Sequence, residues 1–188
     1  MNVGGSVTRG RESAIRVLVR DELACGQVFS WEIIGASMSP LIRIGDQVQA
    51  RIVGLDALRP GDIVVMVSPG GVWLTHRFIR WLRDGDGACL LTKGDRSLTL
   101  DPPWPPTALI GRVEVIVRDG RWLSLNQGLH RLLATLVLWE WRCAFVVNRL
   151  PGSFTRRALH KIAGWIAKCI SALAWFKSTS VLGPQLTR

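Results

Sequence analysis

No two of the four cysteines, Cys25, Cys89, Cys143 and Cys169, lie close enough to form a CxxC pair. That spacing excludes a zinc-ligand set and a dense disulfide framework, and leaves buried free thiols as the expectation. An apolar signal-peptide core is also missing. Residues 1–12 are glycine-rich and polar, and Arg16, Arg20, Asp21 and Glu22 interrupt the next stretch, so no secretory signal peptide is expected. Long apolar runs are lacking too. Residues 132–139 are too few and 162–176 are broken by Lys168, so neither reaches the ~18–20 residues that cross a bilayer. There is no internal repeat and no base-reading motif, and nucleic acid is not expected as a partner.

Acidic residues are absent from one part of the chain. Residues 141–188 hold eight Lys/Arg and no Asp or Glu, whereas residues 1–140 hold sixteen and fourteen. The net charge of +10 therefore belongs mostly to the C-terminal part, which also carries Trp141, Trp165 and Trp175. Basic and aromatic residues together suit an anionic surface. With 48% hydrophobic and 20% charged residues, the 188-residue chain can bury a core and suits one ordinary domain plus an appendage.

Three sections are predicted: a tail and helix over 1–27, a β domain over 28–125, and a helical hairpin and tail over 126–188. In the first, Ala14, Ile15, Leu18, Val19 and Leu23 recur at helical spacing, and Gly26 stands where a C-terminal cap belongs. In the second, β-prone runs at 28–34, 47–53, 63–67, 72–80, 88–91 and 109–117 alternate with turn-forming pieces such as Gly45-Asp46, Arg59-Pro60-Gly61-Asp62 and Asp119-Gly120. No helical pattern of crossover length lies between them, which excludes a parallel βαβ layout and predicts a coiled, mostly antiparallel β domain. Asp101-Pro102-Pro103-Trp104-Pro105-Pro106 is expected to run as a surface loop. In the third, residues 129–150 and 154–177 are each mostly apolar with a narrow cationic stripe, the second marked by Arg157, Lys161 and Lys168. Such a hairpin either packs its apolar faces on the β domain or lies in the plane of an anionic membrane, touching it through residues 129–177.

The β domain is short of bases. His76 is its one histidine and Lys93 its one lysine. Gly35-Ala36-Ser37-Met38-Ser39-Pro40 presents a hydroxyl in a turn after an apolar run. A serine hydroxyl needs a base within hydrogen-bond reach to act as a nucleophile, and a neutral imidazole fills that role near pH 7. A carboxylate that fixes the imidazole tautomer completes such a triad, and Asp95 and Asp101 both stand in position to supply it. Whichever does not is free to bind backbone or the neighbouring Arg77.

These pieces, in order, resemble the ordered boxes of type I signal peptidases and the self-cleaving repressor proteases related to them: Gly35–Pro40, Gly45-Asp46, Arg59-Pro60-Gly61-Asp62-Ile63-Val64, Thr75-His76-Arg77 and Lys93-Gly94-Asp95 followed by Asp101. The His-Arg pair is similar to the archaeal and endoplasmic-reticulum branch, in which histidine replaces the usual lysine base. The resemblance covers roughly residues 28–117. It implies a coiled β fold, a serine endopeptidase with neither metal nor cofactor, and a peptide substrate with small residues near the cleavage site. It also implies Ser37 as nucleophile, His76 as general base, Asp101 as the residue orienting it and Asp95 as a supporting carboxylate. Met38 and Pro40 are then the residues that shape the turn and substrate groove. Gly35 stands where the family usually has a serine whose hydroxyl helps bind the oxyanion. That duty would then fall to backbone N–H groups such as that of Ser37, helped by Ser39.

The expected function is cleavage of a signal or leader peptide by an enzyme held peripherally on a membrane by its C-terminal helices, a cytoplasmic location being the alternative. Two other functions are carried beside it: a self-cleaving regulator, and a catalytically degenerate scaffold that docks on membrane.

Overall fold

A computed structural model describes residues 26–125, except 69, 70, 85, 86 and 98, together with residues 165, 169, 172 and 175. The helix expected before Gly26 and nearly all of the expected hairpin lie outside the described residues. Trp165, Cys169, Ala172 and Trp175 are helical.

The described part is mainly β, in one seven-stranded antiparallel sheet. Its strands are β1 (Val28–Glu32), β2 (Gln47–Arg51), β3 (Ile63–Val67), β4 (Trp73–Asp84), β5 (Gly87–Lys93), β6 (Leu109–Arg118) and β7 (Arg121–Ser124). The order is β1-β2-β6-β3-β4-β5, with β7 also paired to β6. Along one edge of β6, β3 pairs with its first residues and β7 with its last, while β2 takes the other edge. β7 is absent from the sequence expectation. Its four residues are too few to show an alternation, and it forms because Asp119 (φ 49°) and Gly120 (φ 70°) make the two-residue turn that pairs Arg118 with Arg121.

The sheet covers two cores, and β3 serves both. All five of its residues are buried, so its sequence Ile-Val-Val-Met-Val shows no polar face. Ile63, Val65 and Val67 join a first core with Val48, Ala50, Val113, Ile116 and Leu123. Val64 and Met66 join a second with Leu58, Phe78, Leu90 and Leu109. The proline-rich piece is not wholly a surface loop. Pro102, Pro103 and Pro105 are exposed, but Trp104 exchanges both backbone hydrogen bonds with Leu90 (2.8 and 2.9 Å) and packs on the second core. The indole is apolar enough to be drawn in. Of the expected buried thiols, Cys89 and Cys169 are free but partly exposed, and Cys89 sits on β5, whose outer edge is bridged by Trp104 at Leu90. Among the described residues no helix is long and apolar enough to cross a membrane.

Candidate active site

The Ser37 turn belongs to a loop whose ends are tied together. Ile33 N–H donates to the Asp46 carbonyl and Gly45 N–H to the Ile33 carbonyl, both at 2.8 Å, with Gly45 at φ 85°. Between these ends Met38, Leu41 and Ile42 are buried in the first core and act as apolar pins. Ser37, held between the pins and Gly35, is left exposed. Met38, at 1% exposure, therefore shapes the turn from beneath and offers no groove surface; its thioether side chain fills the core as an aliphatic residue would. Ser39 and Pro40 are half-buried, and the Ser39-Pro40 peptide bond is cis. Asp46 fastens the far end of the loop. Buried at 3% exposure, it accepts the Arg43 backbone N–H at 2.7 Å and both arms of the Arg118 guanidinium at 2.7 and 2.5 Å.

His76 comes from β4, where it lies opposite Val64 of β3 on the face of the second core. It is almost fully buried. Its Nδ1 is 2.5 Å from Oδ2 of Asp101. The same oxygen accepts the Thr92 hydroxyl at 2.6 Å, and the Asp101 N–H donates to the Thr92 carbonyl at 2.9 Å. Burial pushes the Asp101 carboxyl up, but the His76 and Thr92 hydrogen bonds outweigh it and hold the group below its ordinary range. An ionised carboxylate only accepts, so Nδ1 carries a proton, and in the neutral imidazole it is Nε2 that holds the lone pair.

Nε2 and Ser37 meet over Gly94. A methyl group placed on Gly94 would sit 3.3 Å from His76 Nε2, 3.1 Å from Ser37 Cβ and 3.0 Å from the Ser37 carbonyl oxygen. The glycine thus allows nucleophile loop and base strand to approach. The turn it opens holds Ser37 in place, because Arg96 N–H donates to the Ser37 carbonyl at 2.8 Å. Among the described residues the Ser37 hydroxyl has no hydrogen bond. The geometry is thus looser than a hydroxyl-imidazole bond of about 3 Å, as unliganded sites commonly are.

Asp95 takes the other role left open for it. It receives Arg77 Nε at 2.7 Å and Nη2 at 2.6 Å in a bidentate pair, while Arg77 Nη1 donates to the Gly61 carbonyl at 2.7 Å. Both side chains are under 10% exposed. Burial alone would lower the Arg77 pKa, and the Asp95 charge and hydrogen bonds raise it instead. Lys93 is the register partner of Arg77, which puts it on the opposite face of β5 from Thr92, although its charge still helps lower the Asp101 carboxyl. Gly35 has open space where a side chain would begin.

The structure thus gathers Ser37, His76 and Asp101, and places Asp95 beside them on Arg77. Sequence reading missed Thr92, and named Gly94 within the Lys93-Gly94-Asp95 box without giving it a role. Thr92 reads as an ordinary β-branched residue. Among the described residues no group of three or more His, Cys, Asp or Glu side chains is placed to hold a metal ion. The sequence matches no protein-family model, and no curated protein matches it.

Proposed function

We propose that this chain is a serine endopeptidase of the signal-peptidase type. The observation that carries the reading is the His76–Asp101 pair, whose free Nε2 faces Ser37 across Gly94. In this mechanism Nε2 takes the Ser37 hydroxyl proton as Oγ attacks the scissile carbonyl. The tetrahedral oxyanion rests on backbone N–H groups, including that of Ser37, with Ser39 nearby. His76 then returns the proton to the leaving amine as the C–N bond breaks, and the acyl group stays on Ser37 as an ester. Water, deprotonated by His76, hydrolyses that ester. Asp101 stays ionised throughout and stabilises the imidazolium.

The domain plan proposed with this activity is the sequence-based one: a helix within residues 1–27, the peptidase domain over 28–125, and a cationic hairpin from 126 onward that holds the enzyme on an anionic membrane. The substrate is a signal or leader peptide with small residues near the cleavage site.

The test is cleavage of Ala-x-Ala-type peptides by purified protein beside Ser37→Ala. Loss of cleavage in the variant is expected, and equal activity in both overturns the mechanism. A second reading, a degenerate scaffold that docks on membrane, is favoured by the unbonded Ser37 hydroxyl together with the missing side chain at Gly35. Acylation by a serine-reactive probe that needs both Ser37 and His76 excludes it. Self-cleavage is the least supported reading. It calls for a lysine base, Lys93 lies on the opposite face of β5 from Thr92, and the chain's one Ala-Gly pair, Ala163-Gly164, follows the catalytic boxes in a stretch expected to be helical.

A further inference from the structure

A cleft of about 430 Å³ opens behind the Ser37 loop, lined by Arg43, Arg118, Asp119, Arg121, Ala172 and Trp175. Arg118 and Arg121 are register partners across the Asp119-Gly120 turn, so two like charges stand directly opposite on one face of the hairpin. Such a pair is destabilising unless something neutralises it. Arg118 is neutralised: Asp46 holds it in two hydrogen bonds, its Nη2 donates to the Leu41 carbonyl at 2.9 Å, and its guanidinium lies 4.0 Å from the Trp175 ring centroid. Trp175 Nε1 donates to the same Leu41 carbonyl at 3.4 Å.

Among the described residues Arg43 and Arg121 have no such partner. Among the described residues neither forms an ion pair, and the one carboxylate lining the cleft with them is Asp119. Ala172 and Trp175, which line the cleft, come from a stretch, residues 141–188, that contains no Asp or Glu. Arginine forks suit a phosphate oxygen pair, and the Trp175 ring offers an apolar wall for what the phosphate carries. We propose that this cleft is a binding site for a phosphate ester, with Arg43 and Arg121 gripping the phosphate and Trp175 flanking its organic part. The site is separate from the Ser37 centre, and its test does not depend on peptidase activity.

Calorimetric titration of the full chain with glycerol phosphate at low ionic strength is expected to show saturable, one-site binding. The double variant Arg43→Gln/Arg121→Gln should weaken it by about tenfold or more, since two charge-assisted contacts are lost. The control Arg80→Gln/Arg83→Gln removes equal charge from exposed β4 positions and should leave it unchanged. No saturable binding, or equal weakening by both doubles, overturns the site. Both pairs are surface substitutions, and a thermal melt verifies folding. Flotation with phosphatidylcholine vesicles, with and without phosphatidylglycerol, then identifies the source. If the Arg43/Arg121 double alone releases the protein from anionic vesicles, the phosphate belongs to a lipid headgroup. If it abolishes glycerol phosphate binding but leaves flotation intact, the ligand is a soluble phosphate ester.

Discussion

His76 and Arg77 are neighbours in the chain and opposites in the sheet: one meets Asp101 and the other grips Asp95. Alternation along β4 sends adjacent side chains to opposite faces, so two carboxylates six residues apart are sorted to separate tasks. On the His76 side, Asp101→Asn is expected to cut turnover by as much as ~10⁴-fold, because an amide no longer enforces the Nδ1–H tautomer. Steady-state kinetics with an unchanged fold by circular dichroism checks this.

The Asp101 carboxyl is also an acid-stability element. Its pKa is held below the ordinary value, so its contribution is fully present above that value and is lost as pH falls through the lower native one. Denaturant titrations in the acid range should show the wild type losing stability more steeply than Asp101→Asn. Parallel curves would mean that the carboxyl titrates alike in folded and unfolded chains.

Thr92 acts through Asp101. Thr92→Val keeps the shape but removes the hydroxyl that helps fix Oδ2, whereas Thr92→Ser retains it. Turnover should fall in the valine variant and recover in the serine variant, with the acid limb of the pH–rate profile moved only by valine. The buried hydroxyl bond contributes about 1 kcal/mol to stability. Equal kinetics in both variants would assign Thr92 to packing alone.

Gly35 and Gly94 are expected to respond in opposite ways to an added side chain. At Gly35 nothing lies within 4 Å of a new Cβ and the backbone is not left-handed, so Gly35→Ser should fold normally. It should raise turnover, since a missing oxyanion donor typically costs ~10²–10³-fold. At Gly94 a Cβ would press on the Ser37 carbonyl at 3.0 Å. Gly94→Ala should therefore abolish probe labelling of Ser37 while costing about 1–3 kcal/mol of stability. Kinetics and denaturant midpoints read the two outcomes.

On the other face of β4, Arg77→Met should destabilise the domain by about 3–5 kcal/mol, because it leaves Asp95 buried and unpaired. Asp95→Leu added to it should recover part of that loss. Chemical unfolding of the two singles and the double measures the coupling.

Much of the architecture is legible in turn chemistry. Gly45, Gly61 and Gly120 all take positive φ within the turn-forming pieces, and six of the seven strands fall on the β-prone runs. The division of labour between Asp95 and Asp101 is not legible in the residues by themselves. It depends on which face of the sheet each reaches, and both come from a segment without regular structure. Thr92 is invisible in the sequence because its hydroxyl matters only once the segment around Asp101 folds back on β5. The contact between Trp175 and Leu41 spans 134 residues, and no local pattern encodes it.

β3 has no free side. It hydrogen-bonds to β4 along one edge and β6 along the other, and its alternate side chains fill different cores. Neither core can close without it, so the two cannot melt one at a time. The β domain should therefore unfold in a single all-or-none step, and the amides of Val64, Val65 and Met66 should exchange with solvent only through that event.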